Sequence, residues 1–433
     1  MGLRRRACIA QLSRGHDNSG PFSPGGRVAA DRIARMSRTR PARHVVLMLL
    51  GLILVGLNLR PALTSVSPVL VEIGRGLGLG SMGQGVLTTL PVLCLGLAAP
   101  LAPRAARRIG DETTILLTLG VLALALLVRP WSGVVGLFAG TALAGGCIGV
   151  MGVLLPGLVK RDFPDQVGVM TGLYTMALCT GASVAAGATE PLRLLFAGEW
   201  RWALTFWLTP AIVAGLVWLP QLARGHPPAP RRTGEATRLR TSRLAWQVTL
   251  FMGLQSSLAY SVFGWLPTIL HDRGLSEVDA GLMLSLSIIV QLISAIAAPW
   301  IGGRCRDQRG VVVAVMVLTL AGLLGCLYAP IESVALWAVV LGLGQGGTFS
   351  MGLTLIALRA ADSRIAAELS GMAQGIGYVL AALGPLLVGI LHDLTGGWQS
   401  TGVLFGVIVG VGLIAGLGAG RDLQVGAVPE PGA

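Results

Sequence analysis

The most unusual residue in this sequence is an arginine inside an apolar segment. Arg60 interrupts the first long apolar run, which extends from His44 to about Glu72. A charge at the centre of a membrane helix costs about 2.5–3.5 kcal/mol on insertion scales, and such residues are usually functional. Pro61 removes a backbone donor and disfavours helical geometry at the residue before it. The pair predicts a broken helix with a cation near the middle of a membrane; the alternative is a cation that satisfies backbone carbonyls freed at the break.

Uncharged polar and aromatic residues interrupt other apolar segments in a similar way. Amides and phenols supply hydrogen-bond donors and acceptors without full charge, which suits a small polar ligand. Gln374 and Tyr378 share a helix face, and Thr64 lies one turn from Arg60, whereas Asn58 is about 200° away around a regular helix. The alternative for each is interhelical hydrogen bonding, worth about 0.6 kcal/mol on average. The predicted substrate-binding residues are Arg60, Asn58, Thr64, Tyr174, Gln255, Tyr260, Trp265, Gln345, Gln374 and Tyr378.

Acidic residues, which could carry a coupled proton, are sparse in the apolar segments. Glu190, at the end of the fifth segment, is the candidate for proton coupling. Importing an anion against an inside-negative membrane costs about 2.3 kcal/mol per charge per 100 mV. Import of an anion would therefore require protons or exchange, whereas its export or the movement of a neutral ligand would not.

Nothing in the residue pattern predicts catalysis, a metal site or a cofactor. The six cysteines show no paired spacing, which favours packing roles over metal binding or disulfides. The apolar segments contain no His/Asp/Glu or Ser/His cluster, so the chain is not expected to be an enzyme. The tails are too short and too polar to predict an appended signalling domain.

The composition predicts a protein with many membrane spans. Apolar residues make up 53% of the chain and charged residues 12%, against about 25% charged residues in soluble proteins. Apolar runs of about 20 residues recur along the whole length. The 62 glycines suit close helix packing in a membrane. The net charge of +13 comes from arginines scattered over short loops, which does not predict nucleic-acid binding.

We predict an all-α membrane protein with twelve transmembrane helices in two six-helix bundles. The domains are a disordered basic cytoplasmic tail at 1–43, bundles at 44–219 and 244–420, a cytoplasmic linker at 220–243 and a cytoplasmic tail at 421–433. Met36 is an alternative start. The predicted spans are 44–72, 82–102, 112–129, 133–157, 167–190, 202–219, 244–270, 277–300, 310–328, 333–357, 366–391 and 399–419.

The arginines predict the orientation of these spans. Alternate connections on one side carry most of the basic residues, including Arg104, Arg108, Arg304 and Arg309. Because cytoplasmic loops carry an excess of arginine and lysine, both termini are predicted to be cytoplasmic. The predicted location is a bacterial cytoplasmic (inner) membrane, crossed many times.

The two halves of the sequence repeat at an interval of about 200 residues. Pro68 corresponds to Pro267 and Pro100 to Pro299, whereas the place of Arg60 is taken by Ala259. Duplicated six-helix halves with basic loops after the second and eighth helices are typical of the major facilitator fold, which moves substrate by rocking two pseudo-symmetric halves around a mid-membrane site. The predicted cation therefore belongs to one wall of the cavity only.

Short motifs in both halves resemble those of a known transporter family. They are Asn58-Leu59-Arg60-Pro61, Lys160-Arg161-Asp162-Phe163-Pro164, Gly253-Leu254-Gln255-Ser256 and Leu369-Ser370-Gly371-Met372-Ala373-Gln374-Gly375-Ile376-Gly377-Tyr378. With these motifs the sequence resembles the bacterial cyanate/2-nitroimidazole transporter family over residues 44 to 420. The resemblance implies secondary transport, by alternating access, of a cyanate-like small anion or a nitroimidazole-like polar heterocycle. The loop between Ala102 and Gly110 lacks the Asp-Arg pair common in the wider superfamily.

The resemblance also leaves a second function open. A broad-range drug or metabolite exporter would be favoured by an aromatic-rich cavity with a membrane-embedded acid, and this sequence has few aromatic residues. The predicted partners are a small-molecule or small-anion substrate, the lipid bilayer and protons as a candidate coupling ion, but no nucleic acid. The predicted oligomeric state is a monomer.

Overall fold

A computed structural model describes residues 42–163, 167–222, 239–361 and 363–425. The described residues from Leu47 onward belong to one compact unit. The described part of the first half forms α1 (Ala42–Asn58), α2 (Pro61–Thr64), α3 (Leu70–Leu77), α4 (Ser81–Ala98), α5 (Leu101–Ile109), α6 (Asp111–Val128), α7 (Gly133–Asp162), α8 (Val167–Leu195), α9 (Trp200–Phe206) and α10 (Leu208–Leu222), with a 3₁₀ turn at Ser67–Val69.

The second half repeats this all-helical organisation. Its helices are α11 (Arg243–Asp272), α12 (Glu277–Gly302), α13 (Arg309–Tyr328), α14 (Val334–Leu358), α15 (Ser363–Ala381), α16 (Leu383–Thr395) and α17 (Gln399–Ala419), with 3₁₀ turns at Leu239–Thr241 and Ile331–Ser333.

The spans agree with the prediction of a multi-pass membrane protein. Ten helical segments of the described chain are long and apolar enough to cross a bilayer. Two further predicted spans coincide with α8 and α11, which have 29 and 30 residues and lie outside those ten. At 1.5 Å per residue, both helices exceed the roughly 30 Å thickness of a hydrocarbon core.

The predicted boundaries of the polar segments are only partly covered by the structure. The predicted linker at 220–243 begins inside α10, which continues to Leu222, and residues 223–238 lie outside the described residues. Most of the predicted tails, 1–41 and 426–433, also lie outside them. The division into domains therefore stays a prediction.

The predicted helix break at Arg60 and Pro61 is confirmed. Helix α1 ends at Asn58, Arg60 adopts φ −124° and ψ −28°, and the chain becomes helical again at Pro61. The 3₁₀ turn that contains Pro68 then leads into α3. Pro267 lies inside the continuous helix α11, so proline alone does not determine the break.

The two halves meet along helices from both. Helix α8 packs against α12, and α4 packs against α15 and α16. Close backbone contact is possible there because glycines face each other: a Cβ built on Gly389 would lie 3.0 Å from the Cα atom of Gly85. Small residues at such points let membrane helices approach closely.

The ends of the helices differ in charge and in how the halves contact each other. We call the side bearing exposed Arg104, Arg107, Arg108, Arg304 and Arg306 the basic end, and the other side the opposite end. Among the described residues, the hydrogen bonds between halves all lie on the opposite-end side of Arg60. They join Ser67 to Gly264, Ser81 to His392, Met82 to Asp393, Ser183 to Ser285, and Arg193 to Glu277. The halves are therefore closed against each other at the opposite end.

Candidate functional site

A cavity of about 130 Å³ lies between the halves and extends from the helix break toward the basic end. Five of the predicted binding residues line it, and they come from α8, α11, α15 and the break itself. Its wall at the basic end includes Pro156 on α7 and Leu353 on α14. The predicted residues in the lining are Arg60, Tyr174, Tyr260, Gln374 and Tyr378.

The Arg60 guanidinium is surrounded by aromatic rings. Its central carbon lies 5.0 Å from the ring centroid of Phe263, 5.7 Å from that of Tyr260 and 5.9 Å from that of Phe349. Such cation–π contacts contribute about 0.5–2 kcal/mol each, more where water is excluded. No carboxylate is among the described residues that line the cavity. The cavity therefore carries a positive charge that its described walls do not neutralise.

A second arginine stabilises the helix segment that follows the break. Arg129 is fully buried at the end of α6; its Nη1 donates to the Ala62 carbonyl over 2.9 Å and its Nη2 to Ser65 Oγ over 3.2 Å. The predicted span 112–129 ended at Arg129, which caps α6 in the structure. Arg129 thus donates to a carbonyl beside the break, which is the structural role that the sequence allowed for Arg60. The Arg60 guanidinium itself faces the cavity.

Asn58 and Thr64 bond to neighbouring helices. The Asn58 side chain donates to the carbonyls of Leu54 and Pro210 over 2.8 and 3.0 Å. The Thr64 hydroxyl donates to the Ala182 carbonyl over 3.0 Å and is fully buried. Neither residue is in the cavity lining, and both fix the broken helix against α10 and α8.

Three further predicted residues are buried beyond the cavity wall. Gln255 Nε2 donates to Ser256 Oγ over 2.7 Å, and Gln345 Oε1 accepts from Gln291 over 3.3 Å. The indole of Trp265 donates to the Pro385 carbonyl over 2.9 Å. The contacts of Gln345 and Trp265 connect helices, which is the alternative role that the sequence allowed, whereas Gln255 bonds within its own helix α11.

Phe263 and Phe349 were missed by the sequence reasoning. Both contact Arg60, and Phe349 lines the cavity. An apolar ring in an apolar segment gives no sign of whether it faces lipid or a cavity. The few aromatic residues of the chain nevertheless converge on Arg60, where three rings surround its guanidinium.

Glu190 lies in a cluster of charged residues at the opposite end. Its buried carboxylate accepts from Arg193 Nη2 over 2.6 Å, and the same nitrogen lies 2.7 Å from Glu277 Oε2 in the other half. Carboxylate oxygens of Glu72, Glu190 and Glu277 lie within 4.8 Å of one another. Three converging carboxylates resemble a metal site, but the Arg193 guanidinium already binds two of them and supplies the positive charge.

A second charged cluster lies at the basic end, where the span Asp111–Val128 begins and the span Gly133–Val159 ends. Arg161 forms hydrogen bonds with Asp111 over 3.1 Å, Glu112 over 2.7 Å and Asp162 over 2.8 Å. Burial acts to lower the pKa of Arg161, but its hydrogen bonds to Asp162 and Glu112 and their charges outweigh burial and raise the pKa. Arg161 therefore stays protonated and joins α6 to α7.

Comparison with known proteins identifies relatives over most of the chain. The family model of the Major Facilitator Superfamily matches residues 48–306 and 260–421. The chain is 40% identical to the uncharacterized transporter YycB of Bacillus subtilis (strain 168), over 87% of this chain and 94% of that protein. Its identity to the 2-nitroimidazole transporter of Escherichia coli (strain K12) is 37%, over 90% and 99% of the two chains.

Two more similarities cover the chain as extensively. The cyanate transport protein CynX of Escherichia coli (strain K12) is 31% identical over 81% of this chain and 91% of its own length. Among solved structures, a bacterial homolog of the human lysosomal transporter Spinster, in an inward-facing and unoccupied conformation, superposes with a TM-score of 0.68 over 90% of this chain and 100% of that chain. Its sequence identity is 15%, so it supports the fold alone.

Proposed function

The chain belongs to the Major Facilitator Superfamily and, within it, to the cyanate and 2-nitroimidazole transporter family, and from this membership we propose that it carries a small anion or a small polar heterocycle bound at Arg60. The protein is a secondary transporter, and it is related to transporters over most of its length. The substrate class follows the relatives, one a cyanate transport protein and another a 2-nitroimidazole transporter.

The observation that carries this proposal is the charge of Arg60 inside the cavity. Its guanidinium lies among three rings, and the cavity lining in the described chain supplies no carboxylate. A cation in a low-dielectric site interacts strongly with an anion or with the negative end of a dipole. Both a cyanate-like anion and a nitro group present such negative oxygen or nitrogen atoms to it.

Alternating access is supported by the asymmetry between the two ends. The halves contact each other through hydrogen bonds at the opposite end, and the cavity extends toward the basic end. If the arginine-rich loops are cytoplasmic, as the positive-inside rule predicts, the cavity faces the cytoplasm of a bacterial inner membrane. Rocking of the halves 44–219 and 244–420, within a single chain acting as a monomer, would then expose it to the other side.

Proton coupling through Glu190 is the finer part of the proposal. Glu190, Glu72 and Glu277 lie close together, and Arg193 binds two of them. Crowded carboxylates disfavour full ionisation, so the cluster is suited to take up a proton as the halves close at the opposite end. A proton gradient would then supply the energy that anion import requires.

The second candidate function is a broad-range exporter of drugs or metabolites. The rings of Tyr260, Phe263 and Phe349 around the cavity favour it. The carboxylates that would attract a cationic drug lie instead at the opposite end, with Arg193. The charge of the cavity therefore favours an anion.

Uptake into proteoliposomes tests the proposed function. Labelled cyanate and 2-nitroimidazole are measured with the wild type, Arg60→Lys, Arg60→Ala and Arg201→Ala, a control at a partly exposed arginine paired with Glu199. Losing charged hydrogen bonds worth about 1.5–3 kcal/mol should reduce transport at least tenfold in Arg60→Ala, less in Arg60→Lys, and not in Arg201→Ala. Unchanged saturable transport in Arg60→Ala would contradict the role of Arg60.

The coupling is tested separately with imposed pH gradients. An inward proton gradient should accelerate anion uptake by the wild type, and Glu190→Gln should abolish that acceleration. Glu199→Gln is the matched control, because Glu199 lies at the same end but is 57% exposed. Equal acceleration in wild type and Glu190→Gln would show that Glu190 carries no coupled proton.

A further inference from the structure

The charge of the cavity sets the charge of its ligand. Arg60 is the one cationic side chain among the described residues that line the cavity, and they include no carboxylate. The guanidinium presents a planar fork of donors that matches the two oxygens of a carboxylate. One guanidinium without a carboxylate partner suits a ligand with one carboxylate. A second negative charge on the ligand would lie against the apolar residues of the lining.

The aromatic rings set the shape of the rest of the ligand. Tyr260 and Tyr378 are arranged edge to face, with ring centroids 6.1 Å apart, and Tyr260 and Phe263 are arranged similarly at 6.0 Å. Aromatic pairs prefer this geometry because the ring edge is positive and the ring face negative. A flat aromatic ring bound beside Arg60 could contact both the faces and the edges of these protein rings. A short polar anion would use none of them.

The volume of the cavity is large enough for an aromatic ring with a carboxylate, and it is larger than a three-atom anion needs. One water molecule needs about 10–15 Å³ of such space, so 130 Å³ accommodates roughly ten non-hydrogen atoms. A benzoate-sized ligand nearly fills it. Cyanate would fill roughly a third and leave water against apolar residues such as Leu95, Ile148 and Leu353.

The lining also contains uncharged polar groups. Gln374 and Thr175 are the uncharged amide and hydroxyl side chains of the lining besides the tyrosines. Gln374 Nε2 donates to Ser370 Oγ over 2.8 Å, which leaves its carbonyl oxygen to accept from a ligand. A hydroxyl or ring N–H at the end of the ligand remote from Arg60 would suit this acceptor.

From these observations we infer that the ligand held at Arg60 is a planar aromatic monocarboxylate, its carboxylate bound by the guanidinium and its ring placed among Tyr260, Phe349 and Tyr378. This inference rests on the proposed function and narrows its substrate class. An aromatic ring with one carboxylate matches the charge of Arg60, the aromatic walls of the cavity and its volume. Neither a short linear anion nor a neutral heterocycle uses all three.

Matched ligands separate the three contributions. Binding of benzoate to the purified full-length protein is measured by calorimetry, and uptake of labelled benzoate is measured in proteoliposomes, with protein-free liposomes as the control for leakage. Cyclohexanecarboxylate keeps the charge and size but lacks the aromatic ring, nitrobenzene keeps the shape without the charge, and phthalate adds a second carboxylate. Cyanate and 2-nitroimidazole are included as the ligands of the proposed function.

Variants assign each contribution to a residue. Arg60→Gln should weaken benzoate binding at least tenfold, and Phe349→Leu should weaken benzoate severalfold while leaving cyclohexanecarboxylate unchanged. Phe206→Leu is the matched control, because Phe206 is 41% exposed and far from the lining. Normal thermal unfolding of Phe349→Leu separates loss of the ring contact from loss of the fold.

The expected result is that benzoate binds at least tenfold more tightly than each of its analogues and inhibits uptake of the others. Equal binding of benzoate and cyclohexanecarboxylate would overturn the inference. Transport of cyanate or 2-nitroimidazole that depends on Arg60 and is insensitive to benzoate would also overturn it, but would leave the proposed function intact. Failure to bind or transport any of the six ligands would contradict both.

Discussion

Arg193 Nη2 lies 2.7 Å from Glu277 Oε2 and so joins α8 of the first half to α12 of the second. The same guanidinium binds Glu190, a residue of its own helix, through both Nε and Nη2. When the halves separate at the opposite end, Arg193 can keep Glu190 but must lose Glu277. The pair with Glu277 therefore stabilises only the state in which the opposite end is closed.

Neutralising Glu277 should shift the protein toward opening at the opposite end. In Glu277→Gln the ion pair between the halves is lost. Ser285 bonds to Ser183 across the interface, so a cysteine in its place reports on opening. That cysteine should react severalfold faster with an impermeant maleimide. The measurement uses a background in which the native cysteines are replaced by serine. Glu199→Gln is the control, since its partner Arg201 lies in the same half.

The direction of the change decides this prediction. Slower or unchanged labelling of Ser285→Cys in the Glu277→Gln background would mean that the ion pair does not hold the closed state. A second cysteine, placed at the cavity-lining Gly152, is labelled from the side of the basic end in inverted vesicles. Its labelling should fall as that of Ser285→Cys rises, because alternating access closes one end of the protein when it opens the other.

Filling the cavity should block transport without damaging the fold. A Cβ on Gly152, which lines the cavity, would meet no atom within 4 Å. Gly152→Leu should therefore abolish uptake and binding while leaving thermal unfolding within about 1–2 °C of the wild type, since a substitution in open space creates no clash.

Gly157 provides the matched control for this substitution. It lies on the same helix, has equally open space, and is outside the cavity lining. Gly157→Leu should retain transport. If both variants transport normally, the ligand does not pass through this cavity.

Removing the Arg129 side chain should destabilise the broken helix. Arg129→Met keeps an apolar stem but leaves the buried Ala62 carbonyl without this donor, which costs about 1–3 kcal/mol. The expected result is a lower unfolding temperature in detergent and reduced transport. Arg201→Met, at a partly exposed arginine, should change neither, and an unchanged unfolding temperature in Arg129→Met would show that the break is held by other contacts.

The helix break and the membrane spans could be predicted from sequence because their causes are local. Pro61 lacks a backbone N–H and so removes one helical hydrogen bond, and a run of about 20 apolar residues has the length of a bilayer. The same local logic placed Gln374 and Tyr378 on one helix face, and both line the cavity. A spacing of four residues needs no knowledge of the rest of the fold.

The remainder of the site depends on contacts that sequence spacing cannot show. Phe263 and Phe349 approach Arg60 from about 200 and 290 positions away, and their apolar character is the same in a cavity wall as in lipid. Arg129 ends the predicted span 112–129, and nothing in that position shows that it is fully buried against the broken helix. Thr64 shares a face with Arg60 but bonds to α8 instead, since neighbouring helices, and not periodicity alone, decide which groups face the cavity.

Replacing Arg161 should destabilise the basic end of the first half. Arg161 binds Glu112 and Asp162, whose side chains are only 4% and 3% exposed, and their hydrogen bonds and charges raise its pKa, so it stays protonated. Arg161→Gln removes charged hydrogen bonds worth about 1.5–3 kcal/mol each and should lower the unfolding temperature by several degrees. The exposed Arg104, bound to the Pro100 carbonyl over 3.2 Å, gives the control Arg104→Gln, which should unfold like the wild type. Equal unfolding temperatures for Arg161→Gln and Arg104→Gln would mean that the cluster contributes no net stability, as happens when desolvation of buried charges offsets their attraction.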